Sequence, residues 1–283
     1  MASLAAVLLL LATSVEPAGA GLAEVIAAGD AHYARRAEGA SAGVAAPGEI
    51  DAAIVEYRRA LAIDAFSLEA RLRLLRAYFF RGGFCGAQGP AQVAIFDEAK
   101  ALAEETVRQL DRRTGRERGR VASRAGELVP SAAAVYLWAA VSWGQWAVAH
   151  AASAAWQRAP GRIRDLAQAA ATLDPASEQA GAHVVLGRLH AEAPRIPFLT
   201  MWVDRRAGVE HLRTALGLSP DSPQIQYFLA QTLLRLDPDR TAEAVALLRR
   251  CASQVPRREF PVEDEHYAWL ARGRLKDLAG ARR

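Results

Sequence analysis

Gly208-Val209-Glu210-His211-Leu212-Arg213-Thr214-Ala215-Leu216-Gly217-Leu218-Ser219-Pro220 and Ala244-Val245-Ala246-Leu247-Leu248-Arg249-Arg250-Cys251-Ala252-Ser253-Gln254-Val255-Pro256 are two copies of one pattern. Each places a small residue, a large apolar residue, a second small residue and a proline at offsets 0, 4, 7 and 12. Offsets four and seven return to one face of an α-helix, so the small residues admit a close neighbour and the large one fills the gap beside them. Proline then ends the helix, because it has no N–H to donate and clashes with the preceding turn. Ala53, Tyr57, Ala60 and Ala65 repeat the pattern with alanine in the last place, and Pro175 closes another amphipathic segment.

A second helix should follow each closing residue. Ala65 leads to Leu74-Leu75-Arg76-Ala77-Tyr78-Phe79-Phe80-Arg81-Gly82, and Pro220 leads to Leu229-Ala230 with Leu233 beyond it. After Pro175 the equivalent pair, Leu186-Gly187 with His190, arrives two residues late. The order of leucine, small residue, aromatic and glycine resembles the tetratricopeptide repeat (TPR), and the closing segments resemble its second helix. The spacing predicts helices at about 21–37, 49–63, 67–81, 90–112, 131–157, 161–173, 177–192, 204–217, 222–235, 240–254 and 262–279. The expected fold is therefore all-α: a TPR-like α-solenoid of about five antiparallel helix pairs plus a C-terminal capping helix, filling residues 21–283 as one domain. No segment alternates as a strand would.

Composition agrees. Of 283 residues 52% are hydrophobic and only 7% aromatic, which excludes disorder, and two cysteines exclude a disulfide-stapled miniprotein. Leu4 to Ala12 is an unbroken apolar run followed by Ala18-Gly19-Ala20, so residues 1–20 read as a cleaved export signal, too short to span a bilayer. Gly21 stands where lipoprotein processing requires cysteine, so a soluble periplasmic or secreted form is expected. A net charge of +4 is small for so long a chain. The arginines at 112, 113, 116, 118, 120 and 124 are interleaved with carboxylates and lack an aromatic to stack on bases, so no nucleic-acid partner is expected.

No motif in the sequence points to a catalytic residue, metal or cofactor. Gly39-Ala40-Ser41-Ala42-Gly43 matches the nucleophile-elbow spacing, but that device needs a strand leading into the serine and here a helix precedes it. Gly82, Gly83, Gly86 and Gly89 lack the strand and lysine of a phosphate loop. His183 and His190 lie on one helix and His211 on its partner, at positions where the repeat places packing residues; a metal would need them to converge with a carboxylate. Cys85 and Cys251 are separated by at least two repeats, too far for a disulfide, which predicts two free thiols with Cys251 the more buried.

Tyr136-Leu137-Trp138-Ala139-Ala140, Trp143-Gly144-Gln145-Trp146, Leu173-Asp174-Pro175, Leu186-Gly187 and the proline-rich segment around 193–204 together resemble the T-component family of TRAP transporter accessory proteins. The resemblance runs from about residue 25 to 275. It implies a noncatalytic exported helical scaffold, a homotrimer, a periplasmic solute-binding protein as partner, and a hydrophobic small molecule held in a pore. Envelope assembly without a small molecule is the alternative role for such a scaffold. Repeat numbering puts Arg76, Phe79 and Phe80, Arg188, and Tyr227 and Arg235 on the concave groove, where arginine and aromatics would suit an acidic peptide or a carboxylate-bearing amphiphile. An arginine-rich chain also exposes arginine on every helix. Trp138, Trp143 and Trp146 divide between core and cavity, and Phe198 and Trp202 form either a ligand lid or a loop packed on a neighbouring helix end.

Overall fold

The computed structural model describes residues 21–114, 131–236 and 240–280. Among them are twelve helices: α1 (Leu22–Ala34), α2 (Pro47–Ile63), α3 (Leu68–Phe84), α4 (Gly89–Thr114), α5 (Ala132–Ala149), α6 (Ala151–Trp156), α7 (Ala159–Leu173), α8 (Ser177–Glu192), α9 (Arg205–Leu218), α10 (Pro223–Leu236), α11 (Thr241–Ser253) and α12 (Pro261–Gly280). None is long and apolar enough to cross a membrane.

The repeated corners are real. Helices α7, α9 and α11 stop just before Pro175, Pro220 and Pro256, and every small or large residue of the three matching patterns is buried. The hairpins pair α1 with α2, α3 with α4, α5 with α7, α8 with α9 and α10 with α11, and α12 packs on the last. Close approach requires glycine where α8 crosses α9. A Cβ at Gly187 would lie 2.5 Å from Leu212 Cγ, and one at Gly208 would lie 3.0 Å from the Gly187 carbonyl oxygen. The result is an α-solenoid.

Two helices depart from the spans that the spacing predicts. The helix expected over 131–157 breaks at His150 into α5 and the short α6. The His150 ring stacks on Trp146 with centroids 4.7 Å apart, and its Nε2 lies 3.4 Å from Asp97 of α4, whose Oδ1 also accepts from Trp146 Nε1. This anchorage holds His150 at φ −124°, ψ 51°, outside the helical well. The helix expected from 177 begins left-handed: Glu178, Gln179 and Ala180 have φ of 51°, 59° and 58°. Left-handed backbone costs such residues roughly 1–2 kcal/mol each. Side-chain bonds donated by Arg76 to Glu178 and by Arg257 to Gln179, with Ala180 fully buried, hold the turn in place.

The two ends of the array meet. Arg36, just beyond α1, donates from Nη2 to Glu263 of α12 at 3.1 Å and to the Glu259 carbonyl, while its guanidinium lies 4.5 Å from the centroid of the Tyr33 ring. Gly43 presses so closely on α12 that a Cβ there would come within 2.5 Å of His266 Cα, and Phe84 meets the His266 ring edge to face at 5.3 Å. One apolar cluster accordingly contains Tyr57, Phe80 and Phe84 from the start of the chain and Leu248 and Tyr267 from its end. The solenoid is closed into a ring.

Candidate functional site

Closing the ring turns the concave face of the array into a cavity of about 1350 Å³. That exceeds the roughly 300–1,000 Å³ usual for small-molecule pockets. Its wall is composed differently at its two sides. Where the ends of the array meet, α1 and the turn after it, α3, the start of α8 and α12 contribute Tyr33, Arg36, Arg76, Glu178, Asp264 and Tyr267. On the other side α5, α6, α7 and the 193–204 segment contribute Val148, Ala151, Ala155, Ile163, Ile196, Phe198 and Leu199. The lining also includes the apolar Phe79, Trp138, Val141, Val185, Leu189 and Phe228.

Ion pairs stiffen the charged side. Arg257 embraces Asp264 through two nitrogens, Nε to Oδ2 at 2.8 Å and Nη2 to Oδ1 at 2.7 Å, with the Asp264 side chain 1% exposed. Arg76 pairs with Glu178 and lies 5.8 Å from the centroid of the Trp138 ring. Burial pushes the Glu263 carboxyl above its usual range despite the opposing Arg36 guanidinium. Glu263 Oε2, Arg76 Nε and Trp138 Nε1 are buried without a hydrogen-bond partner.

The expected groove residues separate. Arg76, Phe79, Arg188, Trp138, Phe198 and Trp202 line the cavity. Phe80 does not: it is 1% exposed and packs against Phe84 in the core. Tyr227 packs on Phe228 and Tyr267 outside the lining, and Arg235 is exposed at the end of α10. Trp143 and Trp146 are buried against each other beneath the Lys100 ammonium, 4.3 and 4.8 Å from their ring centroids, rather than in the cavity. Phe198 stands fully exposed with φ 63°, and Trp202 packs under the Arg164 guanidinium at 4.5 Å and edge-on to His190. The wall also holds residues that repeat numbering missed: Arg36, Glu263, Arg257 and Asp264 belong to the ring closure, and Arg158 to the break before α7.

The three histidines do converge. His183 and His211 place their Nδ1 atoms 3.1 Å apart, and the His190 ring lies 5.9 Å from that of His211 and accepts the Asp204 backbone N–H at 3.0 Å. Burial lowers the pKa of all three. No group of three histidine, cysteine or carboxylate side chains is placed to hold a metal ion among the described residues. The Gly39–Gly43 segment is a tight turn closed by reciprocal backbone bonds between Ser41 and Val44. Both cysteines are free, Cys251 buried and Cys85 partly so. Most of the arginine cluster lies outside the described residues.

No family model matches the chain, and no curated protein does. A solved structure does: a thermophilic TPR protein of Thermus thermophilus, with a TM-score of 0.56 and 16% identity over 91% of this chain and 98% of that one. At that identity the likeness shows the fold. The chain is a TPR-like solenoid.

Proposed function

We propose that this protein is an exported, noncatalytic TPR scaffold that acts as an accessory component of a TRAP-type solute transport system. It holds an apolar small molecule or the apolar part of an amphiphile in its central cavity and presents its outer surface to a periplasmic solute-binding protein, as a homotrimer. The observation that supports this reading is the closed ring, since an open scaffold for protein docking needs no internal chamber lined by Phe79, Trp138, Val141 and Phe228. Helical-repeat scaffolds in general present their surfaces to protein partners. Export rests on the leader-like first twenty residues, and the transport assignment on the stretches from Tyr136 to Trp146 and around residues 193–204.

Native mass spectrometry of the gently purified protein tests it. A retained lipid-like mass on a trimer is expected, together with a solute-binding protein captured from the same periplasm. A bare monomer that captures only envelope-assembly proteins refutes the transport role.

A further inference from the structure

Six arginines line the cavity, and five already hold a carboxylate: Arg36 with Glu263, Arg76 with Glu178, Arg164 with Asp165, Arg188 with Glu192 and Arg257 with Asp264. The sixth, Arg158, makes no ion pair among the described residues. It is exposed, as are Val148, Ala155, Phe198 and Leu199, which line the cavity with it, and we take this exposed stretch of the wall as the mouth. Its backbone is held at φ 52°, ψ 38° as the residue before α7, and its side chain does not cap that helix. Two residues into that helix, Gly161 also lines the cavity, with no atom within 4 Å of where a Cβ would sit. The mouth is thus the one part of the cavity wall whose positive charge is not already neutralised, and the start of a 15-residue helix adds a partial positive charge there. The less exposed part of the wall is largely apolar, with Ile163, Val185, Leu189, Val141, Trp138 and Phe79.

We infer that the cavity takes a single-chain amphiphile with an anionic head, oriented tail inward, its head held at the mouth by Arg158. This rests on the ligand-holding role proposed above and moves the anion site from the groove arginines to Arg158. Arg76 and Arg188 are already neutralised by Glu178 and Glu192, and an anion placed beside them would face those carboxylates. The exposed Phe198 and Leu199 extend the apolar wall outward, so the first part of the tail is covered at the mouth.

The delipidated full chain is titrated with cis-parinarate, a long-chain polyene carboxylate whose fluorescence rises in apolar surroundings, and with hexadecanol as its uncharged competitor. Arg158→Gln, a change at an exposed side chain, should weaken parinarate by about five- to tenfold, the range between an exposed ion pair and a charge-assisted hydrogen bond. Arg158→Glu should weaken it further, and hexadecanol should bind both variants as it binds the unaltered protein. Added salt should reproduce part of the loss for parinarate alone. Unchanged parinarate binding by Arg158→Gln, or an equal loss for hexadecanol, overturns the head site while leaving the cavity's ligand role standing. If the unaltered chain binds neither probe, the ligand role falls and this inference with it.

Discussion

Removing Arg36 tests whether the ring is held shut by its buried ion pair. The Arg36 side chain is 8% exposed and that of Glu263 15%, and the Glu263 carboxyl is already raised by burial. Arg36→Met keeps much of the side-chain volume over Tyr33 and Phe80 but leaves Glu263 without its counter-ion. Stripping a buried pair of one partner costs about 3–5 kcal/mol, and loss of the guanidinium stacked on two rings adds about 0.5–2 kcal/mol. The loss has a ceiling, because the carboxylate can escape to water if α12 swings away from α3. At pH 7 the urea midpoint should therefore fall by about 1–2 M for a slope near 3 kcal/mol per molar, or the radius of gyration from small-angle scattering should grow as the ring opens. Arg36→Met combined with Glu263→Met should recover most of the loss, since an apolar pair of similar size avoids the desolvation penalty. A midpoint and a scattering profile both unchanged in Arg36→Met would show that the ends are joined by something other than this pair.

Leu248 is fully buried at the centre of the last repeated pattern, so Leu248→Ala should cost about 2–5 kcal/mol by urea denaturation, and a loss under about 1 kcal/mol would contradict its place in the core. Burial raises the Cys251 thiol to about 12 and the Cys85 thiol to about 11. Neither is a thiolate at pH 8, and labelling with a chromogenic disulfide should be slow in the native protein, Cys85 ahead of Cys251, and reach two thiols on denaturation. Because His183, His190, His211 and His266 have lowered pKa values when folded, the unfolded chain binds protons that the native chain refuses. Their contribution is complete above the unfolded value of about 6.5 and is lost as pH falls through it toward the lower folded values. The raised Glu263 acts in the opposite sense at more acidic pH. Replacing His183 and His211 by glutamine should flatten the fall in melting temperature between pH 7 and 5, and an unaltered profile would remove the histidine cluster as its source.

The corners of the array were legible because each is written locally. A proline and two small residues on one helix face dictate where the helix stops and how near its neighbour comes. The breaks at His150 and at Glu178–Ala180 were not, since alanine, glutamate and glutamine are good helix formers and only partners on other helices overrule them. Of the groove residues, Arg76, Phe79 and Arg188 line the cavity. Phe80, about 100° round α3 from Phe79, turns into the core and packs on Phe84. Ring closure is beyond local reading: Arg36 and Glu263 are 227 residues apart and meet only because small rotations between hairpins accumulate. Arg158 left one trace in the sequence, having no acidic residue within four positions on either side.

Repeat arrays generally lengthen by duplication, since each unit touches only its neighbours and a new one is simply interposed. This chain has given up that freedom. An additional hairpin would carry Glu263 past Arg36, strand Gly43 away from α12 and split the apolar cluster shared by the first and last helices. The number of units is therefore a fixed property of the protein, and with it the diameter of its chamber, so variation in what the chamber accepts must come through side-chain replacement rather than through gain or loss of repeats.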